Sequence, residues 1–495
     1  MQLEGFNKSN MSQENTKPQF SRELGLLDST MIVVGSMIGS GIFIVSADVA
    51  RYLGGAGWVI LAWVVTGIVT LIGALSYGEL AGMMPKVGGQ FVYLKESYNN
   101  LIAFLFGWCT FLVIQTGTIA AVAVGFARYT GVLIPFFSEE NILINLGFIQ
   151  ISATQLLAVA SIIVLTIINL RGVKEAKFVQ TFLSIIKAVA LFGLIVLGIS
   201  VAWNWQTLAG NWATAWNSYT TENVNGELVV NTITGFGLFS AFGLAMVGPL
   251  FSSSAWNNIT YTAAEIKNPK KDIPRSLLYG TLLCSSLYVV ANIAYQMLLP
   301  VQGLPNGADV TARGIMFASN DRVGTAAAEM IFGNIGTTIM AVFIMISTFG
   351  CNNGLILSGS RVYYAMAKEN LFFEKAGDLN KNGVPGYSII MQSIWASLLC
   401  LSGTYGKLLD YTVFTILIFY FLTILGVFIL RKKMPNAERP YKAFGYPIIP
   451  FIYLIFAFLM CINLLVNKTT TSLAGLVIVG LGVVVFYLWK RKNVQ

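Results

Sequence analysis

The chain has 495 residues, 56% of them hydrophobic and only 11% charged, with a mean hydropathy of +0.70. Soluble domains carry about 25% charged residues, so this composition excludes a soluble globular protein. The absence of histidine removes the commonest general base, metal ligand and near-neutral proton carrier together.

Residues 1–28 are polar and lack the apolar stretch of a cleavable signal peptide, so they read as a cytoplasmic tail. A hydrocarbon core needs about 20 apolar residues per helix. Twelve runs meet this demand, at 30–47, 57–80, 101–127, 151–170, 178–203, 236–263, 277–300, 328–360, 387–404, 408–430, 447–466 and 471–489. Long runs without dense turn signals favour helices over a barrel of short alternating strands.

The first run contains "VVGSMIGSGIFIV" (33–45), with Gly35, Gly39 and Gly41 beside Ser36 and Ser40. Glycine costs about 1 kcal/mol against alanine in a helix, and Gly35 with Gly39 makes a GxxxG that by itself reads as close helix packing. The fifth run carries Lys187, nine residues after its start, or about 14 Å along a helix. A mid-membrane lysine costs about 2.5–3.5 kcal/mol on insertion scales and needs compensation. Snorkelling toward the inner surface is its plain reading.

Residues 204–234 lack Lys and Arg and follow Trp203, which with Trp205 suits an interfacial anchor. The sixth run is interrupted by "PLFSSSAWNNITYTAAE" (249–265), which holds Pro249, three serines and two asparagines. Residues 301–327 suggest a small external cap. All five cysteines (Cys109, Cys284, Cys351, Cys400, Cys461) fall in apolar runs, so no disulfide framework or metal cluster is indicated.

The net charge of +9 raises the question of nucleic acid, and its placement answers it. With the N-terminus inside, inward segments hold 24 of the 31 Lys and Arg, outward segments hold Arg51, Arg128, Arg313, Arg322, Lys407 and Lys468, and Lys187 lies in a span. This is the positive-inside bias repeated along the chain. The basicity reports topology, and no nucleic-acid partner is expected.

The two interrupted helices lie five spans apart, so they run in opposite directions. Paired interruptions of this kind point to an inverted repeat with a ligand bound where both helices unwind. Irregular backbone at membrane depth is tolerated where it lines a cavity or is buried in protein. An unwound helix exposes N–H groups at one half-helix start and carbonyls at the other half's end. The first suits a carboxylate and the second an ammonium. Two antiparallel breaks at one depth thus match the main-chain groups of an amino acid.

"GSMIGSGIF" (35–43), "FSSSAWNNITYTAAEIKNP" (251–269), "NPKKDIPRS" (268–276), "STFGCNNG" (347–354), "SGSRVYYAMAKEN" (358–370) and "RKKMPNAERPYKAFGYPIIP" (431–450) carry a resemblance over nearly the whole chain. The chain resembles the amino acid–polyamine–organocation (APC) superfamily, and within it the L-type amino acid transporter branch. The fold implied is all-α and polytopic: twelve transmembrane helices in a LeuT-type inverted repeat of five and five, with discontinuous first and sixth helices and two extra helices. The divisions are a tail at 1–28, a first repeat at 29–203, an outer loop at 204–234, a second repeat at 235–432, helices eleven and twelve at 433–490, and a cytoplasmic C-terminus at 491–495.

The resemblance also implies a substrate site. Met37, Gly39, Ser40 and Gly41 supply first-helix backbone groups, the last two facing the carboxylate. Phe251, Ser252 and Ser254 supply sixth-helix carbonyls to the amine, and Phe251 is a candidate gate. Trp256 and Asn257 match the family's "WN" pair and shape the site, while "SSS" departs from the larger or glycine residues of related sequences. "GVKEAKFVQTFLSIIKAVAL" (172–191) puts Lys187 in register with a family lysine whose ammonium contacts the unwound first helix, where sodium sits in other members of the fold. This implies sodium-independent coupling through Lys187. A buried lysine can also lose its proton, which keeps proton symport open.

Glu79, Glu265 and Arg361 lie near inner span ends and suit a cytoplasmic ion-pair cluster. No acid lies clearly at the depth of the breaks, which favours a neutral L-amino acid over a cationic one. No cofactor is expected. A membrane enzyme is disfavoured by the lack of histidine, of paired acids at depth and of metal-ligand spacing; a channel or sensor stays as a distant alternative. Eukaryotic members of the branch join a heavy chain through a cysteine between the third and fourth spans. Residues 128–150 have none, so no such partner is expected, in keeping with a bacterial inner membrane.

Overall fold

The first apolar run is not one helix. In a computed structural model that describes residues 19–145, 150–201, 203–224, 227–402 and 405–492, α1 (Leu26–Met37) ends at Ile38, whose ψ of 97° leaves the helix. A 3-10 turn (Gly41–Phe43) and α2 (Ser46–Leu53) follow. Residues 1–18 of the expected tail and 493–495 of the expected C-terminus lie outside the described residues. The rest of the tail is docked: Leu24 is fully buried and pairs with Ile266 in a parallel bridge.

α3 (Ala56–Met83) leads to the short α4 (Gln90–Ser97). The third run folds as α5 (Asn100–Cys109), a π-helical turn (Thr110–Ile114) and α6 (Gln115–Leu133). Asn99 caps α5 by accepting from the Ile102 amide, 3.1 Å away. A hairpin of β1 (Ile142–Asn145) and β2 (Gln150–Ser152) precedes α7 (Ala153–Leu170), which starts with a capping box of Ser152 and Gln155. α8 (Val173–Ser200) begins five residues earlier than the 178–203 run, which puts Lys187 midway along its 28 residues.

The segment 204–234, expected as an outer loop, holds α9 (Trp205–Ala213) and a hairpin of β3 (Tyr219–Val224) and β4 (Glu227–Thr232). Trp203 and Trp205 are both largely exposed, as an interfacial anchor requires. The sixth run is α10 (Gly235–Ala245), α11 (Val247–Ser252) and, after a break, α12 (Asn258–Tyr261). Pro249 sits inside α11. The break comes after it, at residues 253–257, where Ala255 takes a φ of 65°, a left-handed conformation uncommon for a residue with a Cβ.

α13 (Pro269–Leu298) opens on Pro269 at its first turn, where the missing N–H costs nothing. α14 (Val310–Arg313) and α15 (Val323–Phe332) bracket the outer cap. α16 (Ile335–Lys368), α17 (Gly386–Ser402), α18 (Tyr405–Lys433), α19 (Ile448–Asn467) and α20 (Thr469–Lys492) complete the chain.

Ten helices among the described residues are long and apolar enough to cross a membrane. Two of the twelve expected runs fall short: 30–47 splits into α1 and α2, and 387–404 becomes the 17-residue α17. The strands among the described residues, unforeseen in an all-α reading, lie between the third and fourth runs and between the fifth and sixth. α1, α6 and α16 pack in the interior, whereas α8, α17, α19 and α20 turn large apolar side chains such as Phe178, Ile394, Phe458 and Leu481 outward. In water such a surface would aggregate; in a bilayer it is the lipid face.

Candidate functional site

The end of α1 is where the fold concentrates its polar contacts. An α-helix leaves its last carbonyls without partners, and here side chains from three other helices take them up. Lys187 Nζ of α8 donates to the Gly35 carbonyl at 2.5 Å, to Ile38 at 2.7 Å and to Ser347 at 3.3 Å. Cys351 Sγ of α16 donates to Ser36 at 3.2 Å, and Tyr288 Oη of α13 to Met37 at 2.9 Å. Ser347 Oγ lies 3.1 Å from the Ile38 carbonyl and 3.2 Å from that of Gly39. The ammonium of Lys187 also faces the partially negative end of α1. Lys187 does not snorkel: it is 2% exposed, in mid-helix, with its ammonium on the carbonyls of the break.

The three glycines differ in role. A Cβ on Gly35 would lie 2.0 Å from Gln180 Nε2 and 2.2 Å from Ser184 Oγ, so Gly35 packs α1 onto α8. Gly39 has only Cys351 Sγ nearby, at 3.6 Å, and Gly41 abuts Ser252, with 2.1 Å from a Cβ to its Oγ. Gly41 and Ser252 bring the two breaks into direct contact. Ser40, 2% exposed, lies against Gly125 of α6.

At the sixth-helix break, the Phe251 carbonyl already accepts from the Ser254 amide at 3.0 Å and its Oγ at 2.6 Å. The Ser252 carbonyl lies 3.2 Å from Tyr288 Oη. Tyr288 therefore touches both breaks, and its single proton serves one carbonyl at a time. Phe251 lines a cavity with Thr70, Trp256, Tyr420 and Tyr453. Trp256 packs edge-on against Tyr77, centroids 4.7 Å apart. Asn257 is held on both sides: its Nδ2 reaches Gln90 Oε1 at 2.8 Å and Tyr261 Oη at 2.7 Å, and its Oδ1 accepts from Tyr420 at 2.9 Å. A second cavity is lined by Ser254, Asn257 and Asn258 together with residues of α4, α6 and α18.

The acids near the inner span ends are taken. Glu265 pairs with Arg361 at 2.7 Å, both side chains fully buried, and Glu79 binds Arg431 at 2.6 Å and Arg439 at 3.2 Å. No group of metal-ligating side chains occurs among the described residues.

The fold thus brings Met37, Gly39, Gly41, Ser252 and Lys187 together around the two breaks and sets Phe251, Trp256 and Asn257 to one side. Sequence reasoning missed Tyr288, Ser347 and Cys351. A tyrosine in an apolar run is itself a signal, because a buried hydroxyl needs a partner, but the sequence does not say which.

Residues 24–486 match the family model described as amino acid permease. The chain belongs to the amino acid permease family. It is 30% identical over 475 residues to the serine/threonine exchanger SteT of Bacillus subtilis (strain 168), covering 95% of this chain and 98% of that protein. It is 31% identical over 478 residues to the human large neutral amino acids transporter small subunit 2, covering 95% and 81% respectively. Human b(0,+)-type amino acid transporter 1 is 26% identical over 481 residues. This permease is a multi-pass, secondary-active amino acid transporter of the APC superfamily, and its family is one of carriers rather than enzymes.

Proposed function

We propose that this permease exchanges small or medium neutral L-amino acids without sodium, by alternating access around the two breaks. The observation that carries the reading is Lys187, whose ammonium lies 2.5 Å and 2.7 Å from carbonyls at the end of α1 and fills with fixed charge the place a bound cation would need. The substrate carboxylate is held by the amides around Gly39, Ser40 and Gly41. Its amine goes to the carbonyls of Phe251, Ser252 and Ser254, displacing the Tyr288 hydroxyl from Ser252. Met37 completes the first-helix wall, Phe251 closes over the ligand, and Trp256 and Asn257 keep the site's shape.

Neutral substrates are favoured because Glu79 and Glu265 are engaged by arginines and unavailable to a cationic side chain. The names of the exchanger and the large neutral amino acid transporter point the same way. The layout we assign is twelve spans in two inverted halves of five plus two, with α1–α2 and α17 as the two spans short of full length. Both termini are cytoplasmic, the membrane is a bacterial inner membrane, and no disulfide-linked subunit takes part.

Proton symport is the second reading. Lys187's three hydrogen-bond acceptors are neutral carbonyls, so loss of its proton would remove the charge and one of three N–H donors and loosen its hold on the end of α1. Counterflow in sodium-free proteoliposomes separates the readings. Labelled alanine or serine that accumulates only against internal unlabelled amino acid establishes exchange. Uptake into empty vesicles that follows an inward proton gradient establishes symport, and a strict sodium requirement refutes both.

A further inference from the structure

Among the described residues that line the cavity beside Ser254, one buried donor is left without a partner. Asn258, the first residue of α12, is 2% exposed and lines this cavity, and its Nδ2 has no hydrogen-bond partner. The neighbouring polar groups are occupied. Gln115 donates to the Leu355 carbonyl at 2.8 Å, and Gln90 donates to Phe419 and Thr423 while accepting from Asn257. Thr118 and Ser254 give their protons to Ile114 and Phe251 and so keep only acceptor capacity. An unpaired buried amide is costly, and a native interior retains one where something else supplies the partner.

We propose that Asn258 reads the substrate's side chain and selects amino acids that carry a hydroxyl or carboxamide, such as Ser, Thr, Asn and Gln. This rests on the reading that the amino acid's main chain is held at the two breaks. From there a side chain entering the cavity past Ser254 meets a donor in Asn258 Nδ2 and acceptors in Thr118 Oγ1 and Ser254 Oγ. A hydroxyl or carboxamide can both accept and donate and satisfies that set. A valine or leucine of the same size leaves the amide unpaired, and an ammonium meets the amide N–H groups with no anion to balance it. Sites built to hydrogen-bond a polar group reject the apolar isostere far better than apolar pockets distinguish sizes.

The test uses the full chain in sodium-free proteoliposomes loaded with unlabelled serine. Competition with labelled serine uptake is measured for the isosteric pairs threonine against valine and asparagine against leucine. The wild type is expected to favour the polar member of each pair by about ten- to hundredfold, and Asn258→Leu to bring both ratios close to one. Asn258→Ala, which adds no volume, should shift the ratios in the same direction if the leucine variant does not reconstitute. Because each ratio is internal to one preparation, a change in total activity does not mimic the effect. Serine uptake with polar and apolar competitors equal in the wild type, or ratios unmoved by either substitution, overturns the assignment and makes Asn258 a site for buried water. Wild-type vesicles that take up no amino acid overturn the proposed function itself.

Discussion

Lys187 and Tyr288 tie the end of α1 to two other helices, and each tie can be cut with one substitution. Lys187→Ala removes the ammonium from two carbonyls of α1 and leaves them buried without that donor. Hydrogen bonds to charged groups contribute about 1.5–3 kcal/mol, so the exchange rate is expected to fall more than about tenfold. A counterflow rate within twofold of wild type would show that the tie is dispensable. Tyr288→Phe keeps the ring that packs on Trp63, centroids 5.5 Å apart, and removes only the bridging hydroxyl. The expected loss is about three- to tenfold in exchange with folding stability lowered by only about 0.5–1.5 kcal/mol. Thermal unfolding in detergent alongside counterflow checks both numbers.

At the scale of elements, the packing of α1 on α8 and a buried ion pair make separate predictions. Gly35→Ala forces a methyl into Gln180 and Ser184, and overpacking of this kind costs about 1–3 kcal/mol. Gly39→Ala meets only Cys351 Sγ at 3.6 Å and should fold normally. Equal melting temperatures for the two variants would contradict the division of labour between these glycines. At another helix junction, Arg361 joins α16 to the turn that follows α12 through Glu265. Glu265→Gln leaves a buried guanidinium uncompensated, at about 3–5 kcal/mol. The double variant Glu265→Gln, Arg361→Met should recover most of that loss, since replacing both members of a buried pair is often neutral. A double variant no better than the single one would show that the arginine matters apart from its partner.

For the whole molecule, the long loops and the cysteines bear on how it assembles. Arg51, beyond the first break, donates to Asp321 at 2.7 Å and to the Met316 carbonyl at 2.5 Å, fixing the cap formed by residues 301–327 to α2. Trp58 donates to the Trp216 carbonyl at 3.0 Å and so anchors the other long loop to α3. All five cysteines are free, four of them buried and Cys461 half-buried. The protein of 53.9 kDa is therefore expected to migrate identically with and without reductant, and a heavier band lost on reduction would reveal a covalent partner after all.

Membrane class, the apolar runs and the two interrupted helices were legible from the chain alone. Each depends on local composition, and a bilayer imposes its length and charge rules residue by residue. Lys187 stood out for the same reason, as a charge in an apolar run. The chain by itself did not separate Gly35, which packs a helix, from Gly41, which lies in a break, because both roles demand a small residue and differ only in what lies opposite. It could not pair Glu265 with Arg361, placed 96 positions apart, nor show that Tyr288 serves both breaks. The break in the sixth helix was expected from Pro249 onward and lies at residues 253–257: proline is accommodated early in the short α11, which ends at Ser252, and the left-handed Ala255 lies in the break that follows. Which groups face one another across the breaks was decided by tertiary structure, because hydrogen bonds act over about 3 Å and the residues that make them come from helices remote in sequence.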